Sequence, residues 1–152
     1  MKKSVVLTAG CCVAVLVVLG GCATLGGGPS DEEQVMAQVQ GLVDDVLAGN
    51  VDNILGYVSE DFSHYEVPSK QELADYIEMG KDMGYTDDIP AQIEEHNGEI
   101  DLEDAEVTLE EGTATVYPIY ASADEGSITV ELVFQKDPDG VWRITGADVE
   151  GV

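Results

Sequence analysis

The spacing of apolar residues changes once along this chain, and that change limits the folds open to it. Between residues 35 and 47 apolar side chains recur every three or four residues, the period of an amphipathic α-helix. From about Ile93 onward they recur at every second residue, the period of a β-strand with one buried face. Helices followed by an antiparallel sheet predict an α+β fold in which the helices cover one face of the sheet.

Three helical pieces are predicted before the strands. Ser30 and Ser69 each stand three residues before a glutamate and so have the form of a capping box, in which the serine oxygen accepts a helix amide. The first helix ends at Gly49-Asn50, and a short second helix is predicted over residues 52–59. The third helix begins at Ser69 and is closed by two glycines, Gly80 and Gly84.

An antiparallel meander is predicted in the second half. Residues 113–123 are rich in β-branched and aromatic side chains, and apolar residues alternate with polar ones over 128–134. Turns at 124–126 and 137–140 join these strands to each other and to a last strand over 141–145. A further short extended piece is predicted over 62–67. Pro118 has no amide to donate, so we expect a bulge or a sheet edge there that bends the sheet into a cone around the helices.

The first 22 residues have the order of a secretory signal: positive, then apolar, then small. The apolar run from Val5 to Leu19 is shorter than the ~20 residues that a membrane-spanning helix needs. Leu19-Gly20-Gly21-Cys22 resembles the bacterial lipobox, in which the cysteine thiol takes a diacylglycerol and becomes the new N-terminus. We therefore predict a lipoprotein signal peptide over residues 1–21 and lipid on Cys22. The alternative is an ordinary secreted protein with an unmodified cysteine.

Residues 22–29 are predicted to be a flexible tether to one domain over residues 30–152, which is long enough for one core and too short for two. The other two cysteines lie in the signal, so a mature chain with lipid on Cys22 has neither a free thiol nor a disulfide. We expect the protein to be held to a membrane of the cell envelope, outside the cytoplasm. Ala23 stands where inner-membrane retention in enteric bacteria typically shows aspartate, which favours the periplasmic side of the outer membrane where a cell has two.

The charge of the chain excludes one class of partner. It has 31 acidic and six basic side chains, a formal net charge of −25, and two of the six lysines and arginines lie in the predicted signal. Such a surface repels phosphate backbones and anionic head groups, so we predict no nucleic-acid binding and no lipid binding beyond the anchor. It also repels itself, which salt screens. A saline-tolerant source and a device for solubility both fit this composition.

The arrangement resembles the nuclear transport factor 2-like, or SnoaL-like, superfamily. The likeness covers roughly Ser30 to Glu150 and rests on the first amphipathic helix, the capped third helix, the break at 49–52, Glu60-Asp61-Phe62, the strand at 113–116 and the closing residues 139–144. It implies a curved antiparallel sheet wrapped around N-terminal helices, the cone that is also called cystatin-like. It further implies a conical pocket and a homodimer formed through the sheet.

The resemblance also implies candidate chemistry. Enzymes of this superfamily mostly use general acid–base catalysis in an apolar pocket. The candidate catalytic residues here are Asp61, His64 and Tyr65, and His64 draws attention because an imidazole titrates near neutrality. Glu131 is a further candidate carboxylate. The pocket candidates are aromatic: Tyr57, Tyr76, Tyr117, Tyr120 and Trp142. None of these residues lies in a motif that can be carried over from a catalytic member, and each has an ordinary structural alternative.

No metal ion or cofactor is predicted. His96 lies beside two glutamates, but one histidine without a paired spacing is weak evidence for a metal site. Asp137-Pro138-Asp139-Gly140 has part of a calcium loop and lacks its remaining acidic ligands, so it is predicted to be a hairpin turn. Arg143, the only arginine, is predicted to pair with Glu131 across the sheet or, alternatively, to bind a carboxylate inside the pocket.

Three functions stay open from the sequence. The leading hypothesis is a non-catalytic lipoprotein whose cone binds a small apolar molecule or a protein partner. The second is an isomerase- or dehydratase-like acid–base enzyme that acts on a small hydrophobic substrate. The third is an assembly or scaffold module that uses the sheet as an interface. The interior of the cone distinguishes them, because an ionisable group inside favours the enzyme, an open cavity favours the binder and a filled cone favours assembly.

Overall fold

The computed structural model describes residues 28–151, so the predicted signal peptide, Cys22 and most of the predicted tether lie outside the described residues. Four helical elements precede five strands: α1 (Asp31–Leu47), a 3₁₀ helix (Val51–Tyr57), α2 (Lys70–Asp82), α3 (Ile89–Glu95), β1 (Glu99–Asp101), β2 (Glu106–Glu110), β3 (Thr113–Ala123), β4 (Gly126–Lys136) and β5 (Trp142–Gly151). Within this part of the chain, no helix is long and apolar enough to cross a membrane.

The five strands form one antiparallel sheet with β3 and β4 at its centre. β1, β3, β4 and β5 follow one another across the sheet, and β2 also pairs with β3. β1 pairs with the end of β3, where Asp101 lies opposite Tyr120, and β2 pairs with its start, where Glu106 lies opposite Tyr117. The predicted α+β architecture is confirmed.

Two irregularities bend the sheet. The register between β3 and β4 shifts between Val116 and Ile119, around the cis peptide bond that joins Tyr117 to Pro118. Pro118 has no amide hydrogen, so the ladder cannot continue through it, and the bulge predicted there is confirmed. The second shift leaves Thr145 of β5 without a directly opposite residue in β4. The sheet therefore curves over the helices, as the predicted cone requires.

The first helix supplies the apolar stripe that the sheet covers. Ser30 Oγ accepts the Glu33 amide at 3.2 Å, and the Glu33 carboxylate accepts the Ser30 amide at 2.8 Å, so the predicted capping box is present. Val35, Val39 and Val43 follow at spacings of four and are buried against the sheet. The core holds twelve buried apolar residues: Val35, Val39, Val43, Val58, Phe62, Ala114, Val116, Ile119, Leu132, Phe134, Trp142 and Ile144.

Three local predictions are wrong. The strand pattern does not begin at Ile93, because α3 occupies that stretch, with Pro90 in its first turn where a missing amide costs nothing. Residues 62–67 form no strand; the chain turns back, and the His64 amide donates to the Val67 carbonyl at 3.2 Å. β5 continues past its predicted end at Thr145, because the bulge there lets pairing with β4 resume.

The packing of the core predicts how much stability the domain loses when a large buried side chain is removed. Phe134 is fully buried at the centre of the sheet, so Phe134→Ala leaves a void that the surrounding strands cannot fill. We expect the variant to lose about 3–5 kcal/mol of unfolding free energy, measured by urea denaturation of residues 28–152. This polypeptide should fold on its own, because all twelve buried apolar residues lie between Val35 and Ile144.

Val149→Ala is the matched control, because Val149 lies on the same sheet but is 53% exposed. It should change the free energy of unfolding by less than about 1 kcal/mol. Equal losses for the two variants would show that Phe134 does not occupy the centre of a packed core.

Candidate functional site

The space between α1 and the sheet is filled by the protein's own apolar side chains. Val35, Val39, Val116 and Phe134 are completely buried there. Ser59 is the only buried residue with a polar or charged side chain in the part of the chain that is described. The Ser59 hydroxyl donates to Asp137 Oδ1 at 2.7 Å and accepts the Asp61 amide at 3.2 Å, so it is satisfied within the fold. No described ionisable side chain is buried, which leaves the interior without an acid or a base.

The three candidate catalytic residues lie on a surface loop. Asp61 and Tyr65 are exposed, and Tyr65 is 83% open to solvent. The His64 ring is half-buried, and its centroid lies 4.3 Å from that of Tyr65. His64 Nδ1 accepts the Glu66 amide at 3.2 Å, a hydrogen bond local to the loop. The structure thus brings His64 and Tyr65 together but places none of the three in the interior of the cone.

The aromatic candidates are divided between core and surface. Trp142 is buried, and Tyr57 is half-buried at the edge of the core. Tyr76 lies on α2 and is 52% exposed, while Tyr117 and Tyr120 lie on the strand β3 and are 45% and 42% exposed. Tyr76, Tyr117 and Tyr120 therefore line no interior pocket.

A carboxylate that no sequence motif singles out, Asp45, organises the end of α1. Asp45 accepts three side-chain hydrogen bonds, from Asn50 at 2.9 Å, Asn53 at 3.0 Å and the Tyr57 hydroxyl at 2.8 Å. The hydrogen bond from Asn50, then those from Asn53 and Tyr57, hold the pKa of Asp45 below its ordinary value. The hydrogen bond to Asp45 raises the pKa of Tyr57. Gly41 makes room for this contact, because a Cβ there would lie 2.9 Å from the Tyr57 hydroxyl oxygen.

The β4–β5 turn binds both terminal nitrogens of the Arg143 guanidinium, and Arg143 Nε donates to the Gly56 carbonyl at 3.3 Å. Its Nη1 donates to Asp137 at 2.9 Å, and its Nη1 and Nη2 donate to the two carboxylate oxygens of Asp139 at 3.0 and 2.8 Å. The hydrogen bonds to Asp139 and then Asp137 raise the pKa of Arg143, and those from Arg143 lower the pKa of Asp139. The predicted pair with Glu131 is wrong, because Arg143 lies opposite Gln135 while Glu131 lies opposite Asp148.

This arrangement also answers two other predictions about the same residues. The alternative role for Arg143, a carboxylate-binding group in a pocket, is wrong because two carboxylates of the turn already occupy the guanidinium. Residues 137–140 form the predicted hairpin turn, closed by the Gly140 amide, which donates to the Asp137 carbonyl at 2.8 Å.

A second cluster fastens the start of α1 to the same hairpin. Asp31 Oδ1 accepts Lys136 Nζ at 2.6 Å and the Trp142 indole N–H at 3.2 Å. These hydrogen bonds, with that from Lys136 the larger, lower the pKa of Asp31. Lys136 Nζ also lies 5.2 Å from the centroid of the Trp142 ring. The indole N–H of this buried residue is thereby satisfied at the edge of the core.

His96, which was considered above as a metal ligand, lies at the other end of the sheet. His96 Nδ1 lies 2.8 Å from Glu125 Oε1, and the His96 carbonyl accepts the Asp124 amide at 2.9 Å, which ties the end of α3 to the β3–β4 turn. The described residues form no group of three histidine, cysteine or acidic side chains that could hold a metal ion. A depression of about 330 Å³ at this turn is lined by Ala121, Ala123 and Ile128, among others, and is open to solvent.

Comparison with known proteins supports the fold and goes no further. No family model matches the chain, and no curated protein matches it. Solved structures do match, among them a nuclear transport factor 2-like protein with a cystatin-like fold from Novosphingobium aromaticivorans, with a TM-score of 0.53 and 15% identity over 78% of this chain and 80% of that one. The chain has the nuclear transport factor 2-like fold. The resemblance proposed from the sequence is confirmed at the level of the fold.

Other structures with this fold have different descriptions. A CaMKII hub from S. rosetta has a TM-score of 0.58 and 12% identity, over 82% of this chain and 99% of that one. A ketosteroid isomerase-like protein from Erwinia carotovora atroseptica has a TM-score of 0.53 and 9% identity, over 82% and 98%. The nuclear transport factor 2-like fold therefore does not by itself choose a function for this chain.

The hydrogen bonds to Asp45 predict a pH-dependent contribution to stability. Because the folded pKa of Asp45 is lower than its unfolded value of about 3.9, its stabilising effect is present above that pH and is lost as the pH falls through the folded pKa. We expect Asp45→Asn to lower the urea midpoint at pH 7, and the difference from wild type to shrink at pH 3.

Asp44→Asn is the control, because Asp44 is the neighbouring residue and accepts one side-chain amide, from Gln40 at 2.9 Å. Both substitutions remove one negative charge, so the difference between the variants reports the two additional side-chain hydrogen bonds that Asp45 accepts. Equal urea midpoints for the two variants at pH 7 would contradict a stabilising role for the Asp45 cluster.

Proposed function

We propose that this protein is a lipid-anchored, non-catalytic assembly module of the cell envelope, which acts by binding a protein partner with its outer surface. The filled interior of the cone carries this proposal. Val35, Val39, Val116 and Phe134 are completely buried between α1 and the sheet. A small-molecule site in this fold needs a cavity, and a partner protein needs only surface.

The acid–base alternative lacks support from the same region. A catalytic carboxylate needs an apolar, water-poor setting and a donor aimed at the developing charge. Asp61 and Tyr65 are exposed, and the core in the described residues contains no ionisable side chain. The similarity to a ketosteroid isomerase-like protein at 9% identity adds only the fold.

The proposed anchor limits where a partner can be. With lipid on Cys22, the eight residues to Ser30 can reach at most about 30 Å when fully extended. A tether of this length keeps the domain beside the bilayer. The partner is therefore expected in the same membrane or at its surface.

Native mass spectrometry of the mature protein, purified from its own envelope, tests both parts of this proposal. We expect a covalent mass on Cys22 equal to a diacylglycerol with its acyl chains, and no small molecule that leaves on denaturation. Cys22→Ser should abolish the covalent mass and release the protein from the membrane fraction. A small molecule held by the folded chain, or robust turnover of a substrate, would overturn the assembly role.

The homodimer through the sheet is a further proposal within this assembly role, and charge sets a condition for it. The outer face of the sheet carries Glu106, Glu131, Asp148 and Glu150, and Glu131 and Asp148 lie directly opposite one another. Two copies that meet at this face would repel at low ionic strength. We therefore expect dimerisation only where salt screens these carboxylates.

Sedimentation equilibrium of residues 28–152 at about 0.05 M and 1 M salt measures this directly. The expected result is a monomer at low salt and a dimer at high salt. A dimer that is equally stable at both salt concentrations would show that the interface lies outside the acidic face. A monomer at both salt concentrations would contradict the proposed homodimer.

A further inference from the structure

α2 presents an apolar stripe that the rest of the domain leaves half open. Tyr76 and Met79 of α2 and Met83, which caps its C-terminal end in a helical conformation, recur at spacings of three and four, so they lie on one side of the helix. They are 52%, 46% and 58% exposed. The core-facing side of α2 is formed separately, by Leu73, which packs against the core, while Ile77 is partly buried. The apolar surface of α2 is therefore wider than the part that it buries in the fold.

An acidic stripe runs beside the apolar one. Asp75, Glu78 and Asp82 have the same spacing, each lies one residue before a member of the apolar stripe, and all three are exposed. One residue turns an α-helix by about 100°, so the two stripes are neighbours on the helix surface. The two lysines of α2 do not neutralise the acidic stripe, because Lys70 pairs with Glu60 at 2.8 Å and Lys81 pairs with Asp52.

The charge of this surface limits the kind of partner that can bind to it. A second copy would bring one acidic stripe against another, and an anionic membrane would repel the stripe for the same reason. A helix that carries an apolar stripe beside lysines and arginines complements both features at once. Methionines adapt well to such a helix, since their side chains are flexible and polarisable.

We propose that α2 is a docking surface for a basic amphipathic helix of a partner protein, which packs its apolar side on Tyr76, Met79 and Met83 and its cationic side on Asp75, Glu78 and Asp82. This inference rests on the proposed assembly function and names the chemistry of the partner. The residues that define the docking surface all belong to α2 and its C-terminal cap, so the surface can be tested separately from the anchor and the cone.

The test uses residues 28–152, once the urea transition described above shows that this polypeptide folds. The probe is a fluorescent 18-residue helical peptide of leucine and lysine, with its leucines at the spacing of the apolar stripe and its lysines beside them. We expect the double variant Tyr76→Ser/Met79→Ser to bind this peptide about tenfold more weakly than wild type in 0.15 M salt, because two apolar contacts are lost.

Leu109→Ser/Val149→Ser is the matched control. These side chains are 38% and 53% exposed, lie on β2 and β5, and leave the charge of the protein unchanged. Their loss should alter the peptide affinity less than about twofold. Equal weakening by the two double variants, or no weakening by Tyr76→Ser/Met79→Ser, would overturn the proposal.

Two further measurements separate docking from attraction by net charge alone. A peptide of the same composition with a scrambled order should bind at least tenfold more weakly, and Asp75→Asn/Glu78→Gln/Asp82→Asn should weaken the ordered peptide. Equal affinity for the two peptides overturns the proposal. So does binding of the domain to phosphatidylcholine vesicles that is lost in Tyr76→Ser/Met79→Ser.

The peptide result and the native mass spectrum can fail independently. A small molecule in the cone together with α2-dependent peptide binding would overturn the assembly function and leave the docking surface standing. A native mass spectrum without a bound small molecule, together with no α2-dependent peptide binding, would leave the assembly function and overturn the docking surface.

Discussion

The structure depends on the packing of one helix stripe against one bent sheet. Val35 and Val39 of α1 are fully buried against a sheet face that includes Val116 and Phe134. This contact needs the curvature that the break at Pro118 introduces, because a flat sheet would not wrap the helix. Burial of this size is the main favourable term in the folding of a small domain without disulfides. The same side chains also fill the space between the helix and the sheet, where a pocket would lie in this fold.

The polar interactions follow from that packing and hold its borders. Asp31 fastens the start of α1 to Lys136 and Trp142, and Asp45 fastens its end to the 3₁₀ helix. Arg143 closes the β4–β5 turn against Asp137 and Asp139. Each cluster satisfies groups that would otherwise be left at the rim of the core. Two of the aromatic pocket candidates, Tyr57 and Trp142, thus hold structural hydrogen bonds at the border of the core, and the interior stays apolar.

The sequence predicted the elements whose signal is local. α1 was recognisable from the Ser30 capping box, and the bend in β3 from Pro118. α3 is not recognisable, because a helix of seven residues, about two turns, has too few repeats to show a period. The carboxylate partners of Arg143 are not predictable from the strand pattern. They depend on how the β4–β5 turn folds back, and the alternation of residues along a strand does not encode that turn. Whether the cone was open or filled was equally hidden, since side-chain volumes from distant elements decide it.

The charge balance bears on the surface role that we propose. Every lysine and arginine in the described residues is in an ion pair within the domain: Lys70, Lys81, Lys136 and Arg143. The acidic side chains far outnumber them, so the charge left for a partner is negative nearly everywhere. Negative charge alone would attract any cationic partner, and exposed apolar surface alone would attract any apolar partner, so neither feature is selective by itself. Of the surfaces described here, α2 sets an exposed apolar stripe directly beside an acidic one, and a surface with both features can select one partner over others.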